Sequence, residues 1–154
     1  MLVTITTDAS FYDGPRVGAY AFWITSNLGR ITHADSFRGE INSSDEAEMK
    51  CILNALHVLS KQPWVITDVI INTDSKGCIH LITQNKHSRW GNELRIRFND
   101  VVKTLKLTGT VTFKHVKGHK HNKTARHWCN DWCDKQAKIH AKKKIRELNL
   151  AKQK

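Results

Sequence analysis

The chain has 154 residues, 40% of them hydrophobic and 25% charged, with a formal net charge of +11. That length gives one domain a real core and leaves little for a second, and the hydrophobic content argues against disorder. No apolar run is long enough for a bilayer, and residues 2–7 alternate like a strand rather than a signal peptide, so a soluble cytoplasmic protein is expected.

Three strand-like runs come first: residues 2–8, ending at Asp8; residues 17–26, rich in aromatic and branched side chains; and residues 29–37, after the turn Ser26-Asn27-Leu28-Gly29. Ser43-Ser44-Asp45-Glu46 reads as a helix start, with a hydroxyl to cap and acids suited to the positive end of the dipole. This helix runs to about Lys61 and stops before Pro63. Residues 65–73 form a near-continuous run of branched residues, the pattern of a strand buried on both faces. A helix from Ser75 to about Thr83 follows, then a polar loop with Lys86, His87 and Arg89. A helix over residues 91–107 carries the stripe Leu94, Phe98, Val101, Val102 and Leu105. Residues 110–116 alternate as a last strand, and a polar loop over 117–126 leads into a long C-terminal helix. The order β-β-β-α-β-α-α-β-α implies a mixed sheet with helices on its faces.

The positive charge is concentrated at one end. Residues 1–113 hold 12 Lys and Arg against 11 Asp and Glu, whereas residues 114–154 hold 13 against 3. Such a segment suits a polyanion, because neutralised phosphates release their counterions. Cys129 and Cys133 stand near His119, His121 and His127, but neither group has the two-residue gap of structural zinc, so the thiols are read as packed side chains.

Helical periodicity sorts the acids. Glu48 shares a stripe with Ile52, Ala55, Leu56 and Leu59 and points inward, while Glu46 falls with Lys50 and His57, toward solvent. In the last helix Asp134 aligns with Asn130, Ala137, Ala141, Ile145 and Leu148, whereas Asp131 aligns with lysines. Asp8 and Asp74 close strands, where ligand sites form in open α/β sheets. Four gathered carboxylates are untenable without cations, and an all-oxygen set favours Mg²⁺ or Mn²⁺.

The same residues carry a resemblance. Thr6-Thr7-Asp8-Ala9-Ser10, Glu48-Met49-Lys50-Cys51-Ile52-Leu53-Asn54-Ala55-Leu56 and Asn72-Thr73-Asp74-Ser75 resemble successive motifs of the type 1 ribonuclease H family. So do His115-Val116-Lys117-Gly118-His119 and Asn130-Asp131-Trp132-Cys133-Asp134-Lys135-Gln136-Ala137. The resemblance implies a five-stranded mixed sheet, three antiparallel strands then two parallel, flanked by helices. It makes residues 1–154 one catalytic domain with a basic helix over about 124–154. It implies hydrolysis of the RNA strand of RNA–DNA hybrids with two Mg²⁺ or Mn²⁺ ions, leaving 5′-phosphate and 3′-hydroxyl ends. Asp8, Glu48, Asp74 and Asp134 would hold the ions, Asp8 bridging them, and His119 would assist proton transfer, with His121 and His127 as rivals. Ser10, Ser43, Ser44, Lys117 and Asn130 would contact the hybrid, and a monomer is expected. Ala9 stands where the family usually has Gly, and Asp45 where an amide is common. The segment between Asp74 and Trp90 is too short for the basic handle of some bacterial members, so the cationic last helix is expected to supply that affinity. Another nuclease or strand-transfer enzyme on this fold, or a binding module without chemistry, are the alternatives.

Overall fold

A computed structural model describes residues 1–83, 89–116 and 125–153. Lys117, His119, His121, Lys86 and His87 lie outside them. The chain order is β1 (Leu2–Tyr12), β2 (Val17–Ser26), β3 (Gly29–Ser36), α1 (Ser44–Ser60), β4 (Asp68–Thr73), α2 (Lys76–Thr83), α3 (Arg89–Thr104), β5 (Val111–His115) and α4 (Ala125–Lys152). These form a five-stranded sheet in the order β3-β2-β1-β4-β5. The β1–β2 and β2–β3 pairs are antiparallel, and β1–β4 and β4–β5 parallel, as expected.

Strand alternation divides the two faces. Val3 and Ile5 of β1 join Phe22 and Ile24 of β2 and Ile52 and Leu56 of α1 in the main core. The alternate residues meet α4, where Ala21 packs with Cys133 and Ala137. Because Asp8 sits opposite Ala21, it shares that second face. Small residues on both sides let the helix approach closely, and the edge-on Trp23–Trp132 pair, 5.4 Å between centroids, flanks the contact.

Element bounds and the face of one side chain differ from the sequence expectation. β1, read as ending at Asp8, continues to Tyr12, because residues 9–12 keep pairing with residues 17–20 of β2, and the helix read over 91–107 runs from Arg89 to Thr104. The strand read from residue 65 begins at Asp68, and Val65 is 81% exposed. There the chain is fastened to the N-terminus instead: the Met1 ammonium donates to the Val65 carbonyl, and the Thr67 N–H donates to Met1 O at 2.8 Å. Branched residues in succession mark apolar content, which hydrogen bonding need not follow.

A further correction concerns Glu46, which is buried, not solvent-facing. It pairs with Lys50 at 3.0 Å and accepts from the backbone and side-chain nitrogens of Asn42. The cause is α3, whose Glu93, Leu94 and Arg97 close the far side of a cleft of about 200 Å³ over this flank of α1. A single helix's periodicity finds the face toward the sheet but not a second neighbour alongside. Burial alone would raise the Glu46 pKa, yet hydrogen bonds from Lys50 and Asn42 outweigh it and hold the carboxyl below its ordinary value. Glu46→Gln is therefore expected to cost ~1–2 kcal/mol in thermal or urea unfolding at neutral pH. Because the native pKa is depressed, the difference should shrink as pH falls through it; an equal cost at pH 3 and pH 7 would count against the ion pair.

A candidate metal centre at the ends of two parallel strands

The β1–β4 register runs from Leu2 opposite Asp68 to Thr6 opposite Asn72. Two residues further on stand Asp8 and Asp74, so the pairing that builds the sheet brings these acids side by side at its C-terminal edge. Ser43 caps α1 in an extended conformation, its hydroxyl accepting from the Glu46 N–H at 3.1 Å, and this fixes where the helix starts. Glu48 then falls in the second turn and reaches the same edge. Oxygens of Asp8, Glu48 and Asp74 all lie within 4.8 Å of one another.

The protein supplies little to offset that negative charge. One backbone donor, the Ala9 N–H, serves both Asp8 Oδ1 at 2.9 Å and Glu48 Oε1 at 3.2 Å. The other oxygens, Asp8 Oδ2 and Glu48 Oε2, are buried without a hydrogen-bond partner among the described residues. Burial, then the neighbouring Asp74, pushes the Asp8 carboxyl up to about 8. Burial first and Asp8 second drive Glu48 well upward. Asp74 opens to the surface, but partial desolvation followed by the charge of Asp134 raises it too. Two orphaned carboxylate oxygens, on Asp8 and Glu48, with the exposed Asp74 carboxylate beside them fit a hard divalent cation, which satisfies lone pairs and charge together.

Asp134 stands at the rim. Its charge reaches Asp8 and Asp74, yet its carboxylate pairs with Lys138 one turn along α4, at 3.0 Å. Among the predicted acids, then, three converge and the fourth flanks them. Ser10 is half-buried on β1; Ser43 is engaged as a helix cap; Ser44 is exposed in the first turn of α1. Asn130 is buried with Oδ1 unpartnered among the described residues. His127 lies in the first turn of α4, and Asp131, expected to be solvent-facing, is half-buried. Asp45 rests against Gly77 in the first turn of α2: a Cβ on Gly77 would fall 2.7 Å from its Oδ1.

Sequence reasoning missed three supports. The Cys51 thiol donates to the carbonyls of Asp8 and Ala21, at 3.4 and 3.3 Å, tying α1 to the strand that carries Asp8. The Cys133 thiol does the same for α4 through Thr6 O, at 3.5 Å, in keeping with its reading as a packed side chain. Buried Asn72, opposite Thr6, shares the Asp8 face, and its Oδ1 has no partner among the described residues. Only Asn72 had a readable signal, a polar residue inside an apolar strand.

The family model for RNase H matches residues 2–142. No curated protein matches the chain in sequence. Among solved structures, RNase H1 from the halophilic archaeon Halobacterium salinarum NRC-1 superposes with a TM-score of 0.70 at 15% identity, covering 91% of this chain and 97% of that one. The N-terminal RNase H domain of a Mycobacterium tuberculosis protein gives 0.75 at 12%, covering 96% and 98%. LC11-RNase H1, in complex with RNA/DNA hybrid, gives 0.65 at 17%, covering 93% and 99%.

Raised carboxyl pKa values mean that the folded, metal-free protein holds protons more tightly than the unfolded chain does. Their stabilising contribution is full below about pH 4, the unfolded value, and is lost as pH rises through the folded values toward about 8 for Asp8. In EDTA at pH 8.5, Asp8→Asn should therefore be more stable than wild type by about 2–5 kcal/mol, the gap closing near pH 4. Millimolar Mg²⁺ should raise the wild-type midpoint and leave the variant nearly unmoved. A gap independent of pH would contradict the charge-repulsion account.

Proposed function

The chain belongs to the RNase H family, and from that premise we propose that it hydrolyses the RNA strand of RNA–DNA hybrids with divalent metal ions, leaving 5′-phosphate and 3′-hydroxyl ends. The observation that carries this reading is the convergence of Asp8, Glu48 and Asp74, with buried oxygens that lack any partner among the described residues. Asp8, Glu48, Asp74 and Asp134 would hold the ions, Mg²⁺ or Mn²⁺. When bound, such ions make water nucleophilic at neutral pH and stabilise the leaving 3′ oxygen.

The chain's own groups perform the rest. The Ala9 N–H fixes one oxygen of Asp8 and one of Glu48, while the second oxygen of each has no hydrogen-bond partner among the described residues and is left for a cation. That preorganisation avoids reorienting ligands during the reaction. The His115 ring meets the Asp74 carbonyl at 3.1 Å and steadies the backbone beneath that carboxylate. Lys138 holds the Asp134 carboxylate at the rim through a 3.0 Å ion pair, where a metal ion would replace one cation partner with another. Ser10, Ser44 and Asn130 are assigned to the hybrid, with Ser43 acting through its helix cap, and Lys117 and His119 to phosphate contact and proton transfer. The complex of LC11-RNase H1 with RNA/DNA hybrid supports the choice of substrate. Four free cysteines agree with a cytoplasmic setting. No helix among the described residues is long and apolar enough to cross a membrane.

Cleavage of a labelled RNA–DNA hybrid tests the assignment. Wild type should cut only the RNA strand, in Mg²⁺ or Mn²⁺ and not in EDTA, with 5′-phosphate products. Asp74→Asn keeps size and hydrogen bonding but removes one ligand charge, and should lower kcat ~10²–10³-fold with unfolding unchanged or improved. Cutting of double-stranded DNA in preference to hybrid, or tight hybrid binding with no cleavage, would overturn the proposal.

A further inference from the structure

The hydrolase reading leaves the far half of α4 without a task. This helix has 28 residues, a length of ~42 Å, and its fully buried residues all fall in the first part. Trp132 meets Trp23, the Cys133 thiol meets Thr6 O, and Ala137 and Ala141 are buried. Beyond Ala141 no described residue is buried.

The direction of the helix is fixed by its neighbours. Cys129 feels Arg30, which lies opposite Thr25 and hence level with Thr4 near the start of β1. Cys133 is level with Thr6, and Lys138 lies close enough to Asp8 and Tyr12 to feel both. The helix thus climbs alongside β1 toward the end of the sheet where the acids converge. Its last eleven residues extend ~16 Å beyond Ala141.

On this helix Lys135, Lys138, Lys142 and Arg146 stand at offsets of three, seven and eleven, one face by helical periodicity, with Lys143 beside them. All five are exposed. Lys138 is held by Asp134, but no ion pair holds Lys135, Lys142, Lys143 or Arg146 among the described residues. Past Asp134 the sequence contains a single acid, Glu147. The stripe from Lys135 to Arg146 covers ~16 Å, a distance over which a duplex presents roughly ten phosphate charges.

We propose that this face of α4, through Lys135, Lys142, Lys143 and Arg146, tracks the phosphate backbone of a nucleic-acid duplex that runs outward from the acidic cluster. The duplex's course past the cluster rests on the hydrolase reading; the pairing of cation with phosphate does not. Self-association through the same face is disfavoured by its composition. Its exposed apolar residues, Ile139 and Leu150, are three turns apart with Lys143 and Arg146 between them, so a second copy would oppose like charges instead of closing a continuous apolar seam.

The test is the combined variant Lys142→Gln, Lys143→Gln, Arg146→Gln, since glutamine preserves helix propensity while removing charge. Binding of a labelled RNA–DNA hybrid, and of a DNA duplex of the same sequence, is measured in EDTA across a salt series. The variant should bind both duplexes roughly 10–100-fold more weakly at 0.1 M salt, and the slope of log K against log salt should become shallower by about 2 to 3. Unchanged slopes would overturn the proposal, as would a loss confined to the hybrid, which signals sugar recognition and not phosphate tracking. A wild-type dimer in sedimentation that the variant converts to monomer would equally assign the face to a second copy. If wild type instead cuts no hybrid in Mg²⁺ while the slopes change as stated, the hydrolase reading fails and the phosphate-tracking face stands.

Discussion

Repulsion among carboxylates just past the end of the β1–β4 pairing governs how this molecule is built. Parallel pairing places Asp8 and Asp74 at one level, and α1 adds Glu48 from the other side of the sheet. Each step concentrates negative charge where water is scarce, and the unfolded chain suffers none of it. The surrounding contacts do not neutralise the charge; they hold it still. The Ala9 N–H restrains two carboxylates, and the Cys51 thiol binds the Asp8 carbonyl and leaves the carboxylate alone. Among the described residues the side-chain cation engaged with an acid here is Lys138, and it sits on the outermost one, Asp134. The centre is short of positive charge, which is the condition under which divalent ions bind at oxygen ligands.

Much of this could be read from the residues. Strand alternation through Asp8, an apolar run ending at Asp74 and the stripe of Ile52, Leu56 and Leu59 below Glu48 each reflect a periodicity that burial imposes directly, although β1 itself continues to Tyr12. The three acids so identified do converge. What escaped depended on two elements at once. Glu46 looked solvent-facing because its own helix says nothing about α3, which closes over it. The strand before Asp68 looked longer because branched residues report side-chain character, whereas the N-terminus decides which backbone groups pair there. The thiol bonds of Cys51 and Cys133 to backbone carbonyls have no sequence signature, since a small buried thiol looks the same whether or not it donates.

The two halves of α4 solve different problems with one regular element. The first half uses Cys133, Ala137 and Ala141, small enough to bring the helix axis close over Ala21, and so carries Asp134 to the rim of the acidic centre. The second half has no fully buried residue among those described and is supported by propensity, its many Lys, Arg and Leu being good formers. Cations toward its C-terminus also complement the helix dipole, so the charge that suits a polyanion stabilises the helix that displays it.

These two regions of opposite sign lie at one end of the sheet, and their proximity has an electrostatic consequence. A polyanion drawn along α4 raises the local negative potential at the carboxylates, which strengthens cation binding there; bound cations in turn remove the repulsion that the carboxylates would exert on the polyanion. Because binding free energies are reciprocal, each ligand must tighten the other by the same factor. Without a cation, burial and the neighbouring Asp74 hold the Asp8 carboxyl up to about 8, so a divalent ion at this cluster would bind in competition with protons and favour the ionised carboxylates.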